Sequence, residues 1–321
     1  MNLEEVKEIA RELSDEVREL VRPHLGDFQA RKMMGRGASG DSTFAIDELA
    51  EERVEGRLEE YPEIAYFSED RGFMGGEGAR WVLVVDPIDG TRPAAAGLEA
   101  CCVSIAVSEY HAERKPHPTL GDVVFGLVRE IKNDAIFEAE RGKGCDMFID
   151  GERKEVVMEP QKDISRLFWT TGFRGRPALP MALVLEELID VSSVDGGLFD
   201  LGSATFCITR LLTGQMDAYV DVGDRMLREA PRLEEMFLRA GHGHVLNNSS
   251  YDLAAAALIA AEAGVAVTDA FGKPLDDYPL LVSGRSGQLS CVAAVTEDLL
   301  GTIVEEIDAG MRRMRDHYGW E

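Results

Sequence analysis

The first apolar positions of the chain, Leu3, Val6, Ala10, Leu13, Val17 and Leu20, recur at steps of three and four residues, which predicts an amphipathic helix stopped by Pro23. A glycine-rich run from Gly35 to Asp41 follows and reads as a loop, since no strand precedes it as a dinucleotide fingerprint would require. From about Ser42 a second helix is expected, with Phe44, Ile46, Leu49, Ala50, Val54 and Leu58 on its apolar side and Asp47 off that stripe. The pattern then turns strand-like. Ile64 to Phe67, Trp81 to Val85, Val103 to Val107, Val123 to Val128 and Ala135 to Ala139 are short apolar runs, the last three in a largely antiparallel meander. The segment from Tyr110 to Pro118 is expected to be an exposed loop, with His111 and His117 as surface residues.

Around Val156 to Asp163 the strand-rich pattern gives way to alternating helices and strands, so the chain divides into an N-terminal α+β domain, 1–158, and a C-terminal α/β domain, 159–321. Strands at Leu167 to Thr171 and Ala218 to Val222, with helices at Met181 to Ile189 and Ser203 to Leu212, suggest a covered, partly parallel sheet. A charged helical segment from Arg225 to Ala240 contains Pro231, and Gly241-His242-Gly243-His244 after it reads as a loop for want of a third metal partner. An alanine-rich helix opens at Tyr251-Asp252, where Asp252 alone is an N-cap, and ends at Gly264. Strands Val265 to Thr268 and Cys291 to Val295 and a helix from about Glu297 complete the chain, with no internal repeat.

Composition narrows the function. The 34 Lys and Arg against 59 Asp and Glu give a net charge of -25, which repels phosphate backbones and anionic lipid and argues against a nucleic-acid or membrane partner. An anionic substrate would therefore need cations or local arginines, and the acidic surface suits a salty cytosol. Five cysteines without CxxC or zinc spacing fit a reduced cytoplasm, and the acidic start Met1-Asn2-Leu3-Glu4-Glu5 lacks the basic and apolar regions of a leader. No apolar run approaches the roughly 20 residues of a membrane span.

The candidate chemistry lies at two strand ends. The run Trp81 to Val85 stops in Asp86-Pro87-Ile88-Asp89-Gly90-Thr91-Arg92, where carboxylates three apart across a Pro-fixed turn can converge on a divalent cation while Gly90 and Thr91 offer N–H groups to an anion. An ordinary polar turn after a core strand has the same appearance. The strand Ile64 to Phe67 likewise ends in Ser68-Glu69-Asp70-Arg71-Gly72, and two such ends could lie side by side.

Together these segments resemble the inositol monophosphatase superfamily. Asp86-Pro87-Ile88-Asp89-Gly90-Thr91 is similar to its DPxDGT signature, Ser68-Glu69-Asp70 to its G-E-E element, and Tyr251-Asp252-Leu253-Ala254-Ala255 to its W-D-x-A-A element. Thr43 to Asp47 resembles the segment supplying a catalytic Asp, and Leu201-Gly202-Ser203-Ala204 with Asp217-Ala218-Tyr219 resembles its G-S-A and D-A-Y elements, in the family's order over nearly the whole chain. The resemblance implies a layered α-β-α-β-α sandwich, with the site in a cleft between halves, and a Mg²⁺-dependent, Li⁺-sensitive phosphatase using two or three ions. It implies that Glu69, Asp86, the Ile88 carbonyl and Thr91 hold the ion that activates water, and that Asp86, Asp89 and Asp252 hold a second. Asp47 and Thr91 would deprotonate the nucleophile, with Glu69 as a third catalytic residue, and Gly90 and Thr91 N–H groups would hold the phosphoryl oxygens. Ser203, Ala204 and Asp221 would form the substrate side.

The departures concern specificity. Where the family has an Asn/Ser-Phe pair, this chain has Arg92-Pro93 and Ala94-Ala95-Ala96, which makes Arg92 a candidate second contact to phosphate or carboxylate; a solvated surface Arg fits equally well. Arg36 is a candidate mobile cation, and 224–250 is longer than usual before Tyr251-Asp252. The expected activity is hydrolysis of a small sugar or polyol phosphate, inositol-1-phosphate foremost with overlap to fructose-1,6-bisphosphate, by a cytoplasmic homodimer. Histidinol phosphate and 3′-phosphoadenosine 5′-phosphate stand as alternatives, as does a non-catalytic sugar-phosphate sensor or assembly subunit.

Overall fold

The computed structural model describes residues 1–37, 42–76, 78–113 and 117–320. Parts of two expected loops, 38–41 in the glycine-rich run and 114–116 in the histidine-bearing segment, lie outside the described residues, as does Glu77. The first part of the chain runs through α1 (Leu3–Val21), β1 (Met33–Arg36), β2 (Ser42–Phe44), α2 (Ala45–Leu58), β3 (Ile64–Ser68), β4 (Gly72–Met74), β5 (Trp81–Asp89), α3 (Thr91–Ala96), β6 (Cys102–Glu109), β7 (Val123–Glu130), β8 (Ala135–Glu140), β9 (Gly144–Ile149) and β10 (Glu152–Lys154). The remainder is β11 (Phe168–Thr170), α4 (Ala178–Ser192), β12 (Gly197–Phe199), α5 (Ala204–Leu212), β13 (Ala218–Asp221), α6 (Gly223–Glu229), α7 (Glu234–Ala240), α8 (Ser250–Glu262), β14 (Ala266–Thr268), β15 (Cys291–Ala294) and α9 (Glu297–Tyr318).

Two expectations change. Gly35 and Arg36 do not belong to a loop: they lie in β1, which pairs antiparallel with β2, and that pairing moves the start of the second helix from Ser42 to Ala45. Asp47 fixes the new start, because its carboxylate accepts the Phe44 N–H at 2.8 Å. The charged segment from Arg225 to Ala240 is two helices, divided where Pro231 opens a short 3₁₀ turn.

The larger sheet has eight strands in the order β10-β9-β8-β7-β6-β5-β3-β4 and the smaller has five in the order β12-β11-β13-β15-β14. Helices α1 and α2 pack on one another and α1 on the outer face of β6 and β7, while α8 covers β5 to β9 from the other face and packs against α5. That pair also meets β13 and β14 of the smaller sheet, whose other side carries the α4–α9 pair. The stack is thus an α-β-α-β-α sandwich. Every residue of β5 is buried, which explains its uninterrupted apolar run: a strand covered on both faces has no solvent side to mark with polar residues. One buried cluster unites Phe67, Val84 and Phe137 of the larger sheet with Trp169 and Leu253, so apolar packing is continuous through the middle helical layer.

The approach of α8 to the larger sheet depends on Gly126 in β7, where a Cβ would lie 2.8 Å from the Ala255 carbonyl oxygen and 3.1 Å from its Cα. Any side chain there must push the helix away. No helix among the described residues is long and apolar enough to cross a membrane. We expect Gly126→Ala to lower unfolding free energy by about 1–3 kcal/mol in urea titrations, whereas Gly56→Ala, inside α2 with nothing within 4 Å of its added Cβ, should raise it by about 0.5–1 kcal/mol.

Candidate active site

Strands β3 and β5 are parallel neighbours with Ser68 opposite Val85, so their ends deliver Glu69 and Asp86 to the same edge. The third carboxylate comes from the middle layer, where Asp252 stands in the first turn of α8 and accepts the Ser249 N–H at 2.6 Å. Ligand oxygens of Glu69, Asp86 and Asp252 lie within 4.8 Å of one another, an arrangement of hard donors that could hold a metal ion. The expectation of Asp252 as the N-cap is corrected: Ser249 is the N-cap, and Asp252, at the third helical position, completes the capping box by accepting the Ser249 N–H while presenting a carboxylate to the cleft.

Asp89 is handled differently. Its Oδ2 accepts the Ser203 hydroxyl at 2.8 Å and the Thr205 N–H at 2.7 Å, which ties the end of β5 to the start of α5. Ser203 therefore steadies a carboxylate while lining the cleft beside Ala204. Between the two aspartates Ile88 N–H donates to Asp86 Oδ1 at 3.1 Å, and the pairing of β5 with β6 shifts register, which frees the Ile88 carbonyl from the ladder. Thr91 Oγ1 donates to that carbonyl at 3.2 Å. Gly90 caps α3 at φ +92, and a Cβ there would fall 2.2 Å from the Ala100 carbonyl oxygen, so the turn requires glycine. A short helix starts at Thr91.

Burial, reinforced by the charges of Asp89, Glu69, Asp252 and Asp47, holds Asp86 well above the usual carboxylate range. Asp252 is raised by burial and then by Glu69 and Asp89, against the Ser249 N–H and the Arg174 charge. Asp89 rises for the same first reason, moderated by Ser203 and Thr205. Asp47 is pushed up to about 8 by burial, against hydrogen bonds from Phe44 and Thr91. Behind them buried Glu51, which accepts the Ser68 hydroxyl at 2.9 Å, is pushed up to about 7, again by burial. These acids crowd together with more negative charge than the protein neutralises, and a divalent cation is the chemistry that relieves it.

The cleft also reaches residues that strand and helix patterns did not single out: Arg174 and Arg176 after β11, Asp200 after β12, and Asn248 before α8. Their available signal is positional, since Gly172-Phe173-Arg174-Gly175-Arg176 is one more polar turn after an apolar strand, and a doubly basic one in an acidic chain. Asp221 lies in the cleft wall but is fully buried and ion-paired with Arg176. Arg92 is exposed, its guanidinium over the Phe44 ring at 5.7 Å, and is outside the cleft lining; Arg36 is exposed on β1 and also outside it.

A family model described as inositol monophosphatase family matches residues 2–309. The fructose-1,6-bisphosphatase of Pyrococcus furiosus is 24% identical over 308 residues, covering 96% of this chain and 100% of that protein. The fructose-1,6-bisphosphatase/inositol-1-monophosphatase of Methanothermobacter thermautotrophicus is 27% identical over 310 residues, covering 94% and 96%. Among solved structures, a Thermotoga maritima IMPase superposes with a TM-score of 0.66 at 19% identity, covering 97% of this chain and 99% of that one, which shows a shared fold.

The raised acids give stability a definite pH dependence. Asp47 and Glu51 hold protons more tightly folded, at about 8 and about 7, than at their ordinary values of 3.8 and 4.5, so their contribution is present at low pH and lost as pH rises through the folded values. In EDTA, Tm should fall from about pH 5 to about pH 8, and saturating Mg²⁺ should shrink that fall. Asp47→Asn should flatten the EDTA slope, which separates this effect from general repulsion at a net charge of -25. A Tm in EDTA that rises over this range would contradict the assignment.

Proposed function

Because the chain belongs to the inositol monophosphatase family and is a phosphoric monoester hydrolase, we propose that it hydrolyses a small sugar or polyol phosphate by in-line attack of water, with Mg²⁺ as cofactor. Inositol-1-phosphate is the leading substrate, with fructose-1,6-bisphosphate also accepted, in keeping with the names carried by its relatives. The observation that carries this reading is the meeting of Glu69, Asp86 and Asp252 oxygens beside the helix start at Thr91.

Glu69, Asp86, the Ile88 carbonyl, Asp89 and Asp252 would hold two or three ions. Bound there, magnesium supplies Lewis acidity and cancels carboxylate charge. The remaining work belongs to the chain. Asp47 and the Thr91 hydroxyl form a relay: burial raises the proton affinity of Asp47, and the positive charge of magnesium bound at the neighbouring carboxylates would keep it ionised and able to accept the proton of the attacking water. The Gly90 and Thr91 N–H groups opening α3 point their dipoles at phosphoryl oxygens, and Ser203 keeps Asp89 from turning away. The working form in this proposal is a cytoplasmic homodimer acting on a small-molecule ester, with neither nucleic acid nor membrane as partner, in keeping with the acidic surface.

Phosphate release from a panel of inositol-1-phosphate, fructose-1,6-bisphosphate, histidinol phosphate and 3′-phosphoadenosine 5′-phosphate tests the reading. Release with Mg²⁺ that EDTA abolishes and Li⁺ reduces is expected, with inositol-1-phosphate turned over best. Binding without release from any ester would instead indicate a sensor or assembly subunit. Asp86→Asn and Asp252→Asn should each lower kcat on the order of a hundredfold or more while circular dichroism remains that of the parent; near-parental turnover from either would overturn the metal assignment.

A further inference from the structure

Three neighbouring strands of the larger sheet set one row of side chains beneath α5. The register places Asp89 of β5 opposite Cys102 of β6 and Cys102 opposite Glu130 of β7, and residues paired in this way share a face of the sheet. Helix α5 packs across all three strands. At its start Ser203 and Thr205 hold the Asp89 carboxylate, and Ser203 Oγ lies 3.9 Å from Cys102 Sγ. In its last turn Arg210 is ion-paired with Glu130, so the helix is tied to both ends of the row. The start of α5 also reaches α8, because Thr205 Oγ1 donates to the Asp252 carbonyl at 2.8 Å. One helix thus holds the side chain of one acid of the site and the backbone of another.

The far tie is sealed from water. Glu130 is 1% exposed, and its second carboxylate oxygen accepts from Asn133 Nδ2 at 2.8 Å. Arg210 is buried too: Nη1 donates to Gln215 Oε1 at 3.0 Å, and the guanidinium lies 4.3 Å from the centre of the Phe206 ring and 5.3 Å from that of Phe137. Taking two charges out of water largely offsets their attraction, so a pair of apolar residues would fill this space with little loss of stability. What apolar packing does not supply is direction. A charge-assisted hydrogen bond fixes where α5 sits along β7, and the helix carries that placement to its other end. We propose that Arg210 and Glu130 are a positioning pair for the metal site, setting the place of the α5 start and, through it, the Asp89 carboxylate and the first turn of α8. This rests on the metal-dependent reading above; neither residue lines the cleft, so both act through others.

Calorimetric titration with Mg²⁺, in the absence of substrate, tests the pair. Arg210→Met should raise the Kd for Mg²⁺ roughly tenfold or more, with Arg210→Lys closer to the parent. Because Arg210→Met leaves Glu130 buried without its counter-charge, the double variant Glu130→Leu/Arg210→Met repeats the test with both charges gone: its Tm in EDTA should stay close to that of the parent while its Mg²⁺ affinity falls as in the single variant. Arg129→Met is the control. Arg129 is the next residue of β7, points to the opposite face and pairs with Asp15 of α1 at 3.0 Å, so its loss should lower Tm and leave the Kd for Mg²⁺ unchanged. In phosphate release, Arg210→Met should need more Mg²⁺ for half-maximal rate. A fall in Tm with unchanged Mg²⁺ affinity in the single and double variants would reduce the pair to a structural tie and overturn the proposal, and so would equal weakening in Arg129→Met. If the parent cleaves no ester, the phosphatase reading fails on its own and the calorimetric comparison still decides; a parent that binds no Mg²⁺ overturns the metal reading and this proposal together.

Discussion

Mutual repulsion among closely gathered carboxylates is the constraint around which this molecule is arranged. Glu69, Asp86 and Asp252 come within 4.8 Å of one another in surroundings that already disfavour charge, so the scaffold must hold them against a force that separates them. It does so by drawing each from a different rigid element: adjacent parallel strands β3 and β5 supply two, and the first turn of α8 supplies the third. Backbone hydrogen bonds restrain Asp86 and Asp252, while Asp89 is held by Ser203 and Thr205 of the α5 terminus. The apolar continuity through both sheets and the middle layer provides the stiffness that such a cluster needs.

How much of this could be read from the residues alone depended on whether the signal was local. Asp86 to Thr91 and Glu69 were visible because a buried strand that stops in a carboxylate turn is a contrast within a few residues. By local pattern Asp252 read only as a helix cap, and its second role was legible only through the resemblance of Tyr251 to Ala255 to a family element, because the approach of the α8 start to the Glu69 and Asp86 carboxylates is a fact of layer stacking rather than of sequence period. The error at Ser42 has a physical source as well: Phe44, Ile46, Leu49 and Leu58 fit a helical stripe, but hairpin pairing of Ser42–Phe44 with Met33–Arg36 outweighed propensity for those first residues. Arg174 and Arg176 passed unnoticed because a turn with glycines carries no periodicity, and what gives them meaning lies across the chain at Asp221 and Asn247. Arg92 shows the reverse. It stood out beside the strongest motif, yet its guanidinium lies over Phe44 and outside the cleft lining.

Near α3 the chain presents acids and N–H dipoles, groups that handle a phosphoryl transfer whatever is attached to it. Arg174 and Asn248 line the same cleft, Arg174 lowering the proton affinity of Asp89 and Asp252 through its charge. Asn248 is itself anchored to the Tyr219 hydroxyl, so this side is built on β13 as firmly as the other is built on β5.

The position of α8 also sets an order of assembly. This helix is the shared inner wall of both sheets, and it is made late in synthesis, after every strand of the larger sheet has left the ribosome. Until it docks over Gly126, Asp252 is far from Glu69 and Asp86, and the nascent chain has no complete ion site to fill. A chain whose layers have not yet closed therefore lacks one of the three carboxylates of the cluster.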